Sequence, residues 1–196
     1  EIYRVQEDEG IAMISSSTRK GYGGMTLRSL KRLPEGKPKA AVIYVHGYFQ
    51  HSRAVELQDL QDRALADGFA WFGLDAQGHG CSSKLGDKLH PCIPAMVADM
   101  ESWLTDLCDF ILLVAEDESV AGLPICLACH SWGTGCLTAI LPKVIEKLGT
   151  RVRGVCFSGV ATMPKMKPMP GAVLRLMKYK AWRHPKKKAK MRKVNL

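Results

Sequence analysis

Four short apolar runs punctuate the chain, and each is bounded by turn residues. Ala40-Ala-Val-Ile-Tyr-Val45 is uninterrupted and rich in β-branched side chains, is entered from Pro38 and left at Gly47, and so predicts a strand buried on both faces. Ala70–Leu74, Leu123–Cys129 and Val152–Phe157 have the same character. The segments between them repeat at helical period. Leu57, Leu60, Ala64 and Leu65 mark one helix; Met96, Met100, Trp103, Leu104, Leu107, Phe110, Ile111 and Val114 a second; Cys136, Leu137, Ile140, Val144 and Leu148 a third. Strands alternating with helices imply right-handed crossovers, and the predicted class is α/β, a mostly parallel sheet with helices on both faces. Upstream, Met13–Ser17 and Met25–Leu30 predict an antiparallel hairpin at the sheet edge, with Gly21, Gly23 and Gly24 in its turn. From Pro164 the pattern changes: Pro164, Pro168, Pro170 and Gly171 break any further strand, and an amphipathic stretch at Val173–Trp182 runs into a lysine cluster.

Composition changes this picture in two places. The net charge of +9 would by itself suggest an acidic partner, but ten Lys/Arg and no Asp or Glu lie between Arg175 and Leu196 and account for the whole excess. The body of the chain is neutral and only its tail is basic. The seven cysteines are odd in number and scattered through apolar surroundings, which suits free thiols in a reducing, cytosolic compartment. Cys126 and Cys129 form a C-x-x-C, yet they lie in a predicted strand, where residues three apart point to opposite faces; this argues against a metal or redox pair. No apolar run approaches the roughly 18 residues of a membrane span, and no secretory signal opens the chain. No cofactor or metal is predicted.

Reactive groups in parallel sheets gather where strands reach their carboxyl ends. After the third of the four apolar runs comes Cys129-His-Ser-Trp-Gly133, a G-x-S-x-G nucleophile elbow with cysteine in the first glycine place. Small residues are needed two before and two after the serine, because the backbone turns sharply from strand into helix. Such a turn lifts the Ser131 hydroxyl clear of the sheet and starts a helix at Trp132, whose N–H and dipole face whatever Ser131 attacks. After the first run comes His46-Gly47-Tyr48, which is either a plain strand-ending turn or one that aims the Tyr48 N–H toward the same space. After the second comes Asp75-Ala-Gln-Gly-His-Gly80-Cys-Ser82, a glycine-rich loop in which Asp75 and His79 are expected to brace the backbone.

Taken in this order and spacing, strand-His-Gly, strand-Asp-x-x-Gly-His-Gly-x-Ser and small-His-Ser-x-Gly resemble the monoacylglycerol lipase and lysophospholipase group of the serine-aminopeptidase-like α/β-hydrolases. The resemblance runs from about Gly21 to about Pro185. It implies Ser131 as nucleophile and the backbone amides of Tyr48 and Trp132 as oxyanion hole. Residues 1–160 then form the N-terminal portion of the core, and residues 161–196 the start of a cap over the acyl site, with the basic tail. Three positions depart from the group's pattern: Cys129 where glycine is usual, Gln77 where arginine is common and Thr134 where a further glycine is frequent.

A serine hydroxyl needs a histidine to accept its proton and a carboxylate to orient that histidine, in the chain order Ser, acid, His for this fold. Downstream of Ser131 the only carboxylate is Glu146, near the end of the helix that follows the serine, and the only histidine is His184, among lysines. Neither suits the role, and the chain, beginning at Glu1, is expected to be a fragment lacking the triad acid and base and incomplete at its C-terminal end. Histidines 46, 51, 79, 90 and 130 read as turn or loop residues without metal-ligand spacing, His130 packing beneath the elbow.

The expected substrate is a lipid ester or other acyl compound, cleaved through an acyl-enzyme on Ser131. A serine aminopeptidase shares the same elbow and is the alternative within hydrolases. A non-catalytic lipid-surface protein is the alternative outside them, because Lys178–Lys193 with Met177, Tyr179 and Trp182 suits contact with an anionic membrane. No nucleic-acid-binding motif is present.

Overall fold

A computed structural model describes residues 14–21, 26–82, 97 and 100–160. Six strands form one sheet: β1 (Ile14–Lys20), β2 (Thr26–Arg32), β3 (Ala40–Val45), β4 (Phe69–Leu74), β5 (Ile125–His130) and β6 (Val152–Ser158). Their order is β1-β2-β4-β3-β5-β6. The first two strands pair antiparallel with each other, and β2 pairs antiparallel with β4, as expected of an edge hairpin; the remaining pairs are parallel. Three helices follow their strands: α1 (Gln58–Ala66), entered through a 3-10 turn at Val55–Leu57, then α2 (Met100–Glu116) and α3 (Trp132–Leu148). The predicted cap from Ala161, the basic stretch Lys178–Lys193, and His90, Cys92 and His184 lie outside the described residues.

Alternation along each strand divides the core into two layers. Ala41, Ile43 and Val45 of β3, Ala70, Phe72 and Leu74 of β4, and Ile125, Leu127 and Cys129 of β5 face α2 and α3, where Trp103, Leu107, Ile111, Leu137, Ile140 and Val144 close the larger layer. The intervening Tyr44 and Trp71, with Leu30, pack with Ala54, Leu57 and Ala64 of α1 and its entry turn on the opposite face. Tyr44 and Trp71 stack with ring centroids 5.4 Å apart. These central strands read as continuous apolar runs because both of their faces are covered.

Two polar clamps fix the far end of this sandwich. Arg151 donates to the carbonyls of Leu123, Ala115 and Val120 at 3.0–3.3 Å, tying the end of α2 and the entry to β5 to the turn before β6. Lys31 of β2 reaches Asp117 at 2.7 Å, just past the end of α2. Burial pushes the Asp117 carboxyl up, but the Lys31 ammonium and the Ser119 donors outweigh it and hold the group below the usual range. Its stabilisation is therefore present above the ordinary carboxylate pKa and lost as pH falls through the lowered value.

Among the described strands β1 and β6 stand at the two ends of this order, and β6 pairs with β5 from Ile125↔Val152 to His130↔Ser158 with a register shift at Ile125/Cys126. Phe157 is 42% and Val160 54% exposed.

Candidate active site

The carboxyl ends of β3, β4 and β5 converge, and the three loops singled out in the sequence meet there. Ser131 has φ 50° and ψ −118° and stands between the last residue of β5 and the first of α3. A positive φ on a residue with a Cβ costs on the order of 1–3 kcal/mol and persists only where its surroundings over-determine it. Here they do. The Ser131 N–H donates to Ser158 O at the end of β6 at 3.0 Å, and the Ser131 carbonyl accepts from Thr134 N–H at 3.0 Å and from Thr134 Oγ1 at 2.6 Å. Gly133 lies so close to the end of β3 that a Cβ there would come within 2.5 Å of Val45 O and 2.7 Å of His46 O. As the first residue of α3, Trp132 has no acceptor within the helix for its N–H.

The three departures from the pattern have local explanations. Cys129 is buried, its Sγ 3.5 Å from Cys156 O, and burial pushes its thiol up to about 11, so it fills the glycine place as a small apolar group. Thr134 takes up the Ser131 carbonyl, a bond that a glycine side chain could not make. Gln77 is buried and donates through Nε2 to Asp106 Oδ2 of α2 at 2.9 Å.

The turn after β3 reaches the elbow. A Cβ on Gly47 would stand 3.3 Å from Ser131 Cβ and 3.2 Å from His130 Cδ2. The Tyr48 ring meets the Trp132 ring edge-on at 5.7 Å and the His79 ring at 5.5 Å, while His79 stacks on Trp132 at 5.7 Å and Trp132 on Trp103 at 6.0 Å. Ser131, Tyr48 and Trp132 are thus brought together at one sheet edge. His130, expected beneath the elbow, is half-buried against Gly47 and Gly159, with Nδ1 3.4 Å from Ser158 Oγ.

Asp75 is the brace its loop required. Fully buried, it accepts from Ser52 N–H at 2.7 Å, Ser52 Oγ at 2.6 Å and Cys81 N–H at 3.0 Å, with Arg53 at 3.6 Å. Gly80 is held against its carboxylate at φ 49°, where a Cβ would collide with Oδ2. The sequence reading took His79 as a brace of this loop but missed what His46 does. Both are buried, with ring centroids 5.1 Å apart, and burial lowers both pKa values, His46 to about 4. His79 Nδ1 bonds the Gln77 carbonyl at 3.0 Å. The available signal was positional: each of these histidines falls within five residues of a buried strand's carboxyl end.

Among the described residues no histidine ring is hydrogen-bonded to the Ser131 hydroxyl. Glu146 stands 14 residues into α3 from Trp132, about 21 Å along the helix at 1.5 Å per residue. No three His, Cys, Asp or Glu side chains converge as metal ligands among these residues, and no helix there is long and apolar enough to cross a membrane.

A profile of the family described as serine aminopeptidase, S33, matches residues 36–195, which include all three loops. The chain belongs to this family. A monoacylglycerol lipase from Mycolicibacterium smegmatis is 29% identical over 129 residues, which cover 63% of this chain and 42% of that protein. Among solved structures, a soluble variant of monoglyceride lipase from Saccharomyces cerevisiae, in complex with a substrate analog, matches with a TM-score of 0.62 at 19% identity, over 93% of this chain and 55% of that one. A thermostable carboxyl esterase from Bacillus coagulans, in complex with glycerol, matches with a TM-score of 0.60 at 19% identity, over 87% and 51%. These likenesses show the α/β-hydrolase fold for this S33 chain. The chain spans about half the length of these relatives.

Proposed function

We propose that this chain carries the nucleophile of a serine ester hydrolase of the monoacylglycerol lipase type, with Ser131 attacking the carbonyl of an ester that has a hydrophobic acyl chain. One observation supports the reading: Ser131 is held at a positive φ between strand and helix, the strained turn that a nucleophile elbow requires. In this reading the backbone amides of Tyr48 and Trp132 receive the developing oxyanion. The rings of Tyr48, Trp132 and the exposed Phe49 supply apolar surface for the acyl chain.

A fluorophosphonate, which reacts with activated serines, tests the proposal on the 196-residue chain and on the full natural reading frame, each beside its Ser131→Ala variant. Ser131-dependent labelling of the longer form, weak or absent in the shorter one, is the expected result. Labelling that survives Ser131→Ala in both forms would assign the reaction to another residue. The family's own description raises a peptidase as the second reading. Fluorogenic monoacyl esters turned over faster than aminoacyl amides by the labelled form favour the lipase.

In this proposal residues 161–196 begin the cap over the acyl site, and Lys178–Lys193 bring the protein to anionic lipid. Liposomes containing phosphatidylserine should pellet the chain at low salt and release it at high salt, because the attraction is screened within a Debye length. Equal pelleting of a variant with these lysines changed to glutamine would remove the electrostatic role.

A further inference from the structure

The carbonyl of Gly47 and the N–H of Tyr48 belong to one planar peptide unit, so whatever fixes the first fixes the direction of the second. Two donors hold that carbonyl: His46 Nδ1 at 2.8 Å and Gln50 N–H at 3.1 Å. Gly47 N–H in turn donates to Gln50 Oε1 at 3.0 Å. The ring of His46 has one arrangement that satisfies both of its nitrogens. Ala76 N–H donates to Nε2 at 3.0 Å, which requires a lone pair there and places the proton of the neutral ring on Nδ1, facing Gly47 O. His46 is 1% exposed, so the ring is shielded from bulk water.

We infer that His46 is a positioning residue for the oxyanion hole: through Nδ1–H it sets the Gly47–Tyr48 peptide, and through Nε2 it ties that peptide to the end of β4 at Ala76. The inference rests on the proposed nucleophile and on Tyr48 as an oxyanion donor. An oxyanion donor is effective in proportion to its preorganisation, since no reorganisation is then needed as charge develops. The relay supplies that through the Gly47–Tyr48 peptide.

Protonation would put a second N–H against the Ala76 N–H and break the relay. The groups facing the ring are Asp75, whose charge favours protonation, and His79 and His51, which oppose it. Burial dominates and holds the value at about 4. The folded value lies below that of a free imidazole, about 6.5, so the neutral ring's contribution is whole above that pH and is lost as pH falls toward 4.

Two near-isosteric variants separate this role from a merely structural one. The amide nitrogen of asparagine overlays Nδ1 and keeps the donor to Gly47 O; the amide oxygen of glutamine overlays Nε2 and keeps only the acceptor for Ala76 N–H. In the labelled form of the protein, His46→Gln and His46→Phe should slow the maximal rate of fluorophosphonate labelling about 100-fold, with affinity for the reagent unchanged. His46→Asn should recover at least about tenfold of that loss, as expected if donor alignment is what matters. Equal rates for Asn and Gln, or a loss confined to affinity, would overturn the inference. Nitrogen-15 spectra of the unsubstituted chain give a second readout that does not need the variants to fold, and should show His46 as the Nδ1–H tautomer at neutral pH. The Nε2–H tautomer would overturn the inference whether or not Ser131 reacts. No labelling in any form overturns the nucleophile reading and this one with it, whereas labelling indifferent to His46 overturns this one alone.

Discussion

Replacing Ser131 by glycine is expected to end fluorophosphonate labelling while raising the stability of the chain. With φ 50° and ψ −118°, Ser131 occupies backbone space that glycine enters freely and that a residue with a Cβ enters at a cost of about 1–3 kcal/mol. Glycine also loses more freedom on folding, which returns roughly 0.5–1 kcal/mol of the gain. The net expectation is about 1 kcal/mol, or a rise of about 2–4 °C in Tm for a chain of this size. Ser131→Ala is the necessary comparison, because it removes the hydroxyl and keeps the Cβ. It should lose labelling and gain no stability. Thermal melts of the two variants showing no difference would mean that the turn is unstrained and that the main support for Ser131 as nucleophile is gone.

Gly133→Val should have the opposite sign and a larger size. Its Cβ would stand 2.5 Å from Val45 O and 2.7 Å from His46 O, and both obstacles are backbone. The end of β3 cannot withdraw, being paired with β4 through Tyr44↔Gly73 and with β5 through Val45↔Cys129. Overpacking of this kind costs about 1–3 kcal/mol and occasionally more, and the rigid neighbours place it at the upper end. The displacement would also push α3 away from the His46–Tyr48 turn, so labelling should fall with stability. Gly135→Ala, two residues along the same helix with nothing within 4 Å of an added Cβ, should instead stabilise by about 0.5–1 kcal/mol. Urea melts of the pair decide the matter: equal effects would show that close approach at Gly133 is not what selects glycine there.

Much of the fold was legible because its strands are buried on both faces. Ala40–Val45 was read to the residue, and the limits of β4 and β6 to within one, since an apolar β-branched run between turn residues has few other uses. The start of β5 was less legible. Leu123 and Pro124 are apolar, but the carbonyls of Leu123 and Pro124 are taken by Arg151 and Ala41 before strand pairing begins at Ile125. The elbow was legible from the size of its residues, and Asp75 from the glycines around it. The part of His46 was not, because it depends on which nitrogen carries the proton. That follows from Ala76, thirty residues away along the chain, and no local pattern records it. The aromatic stack at the elbow was hidden for a related reason: His79, Trp132 and Trp103 are distant in sequence and meet only when the loop after β4 and the first turns of α2 and α3 converge.

The hydrogen bond from Ser131 N–H to Ser158 O joins the elbow to the last residue of β6. The ends of strands open locally with free energies far below that of global unfolding. Each such opening of β6 would release one of the restraints that keep Ser131 at its positive φ while β5 itself stays paired with β3. The strained turn at Ser131 therefore depends in part on the docking of β6, and amide exchange at Ser131 should keep time with the last residues of that strand and not with the core strand that precedes the serine.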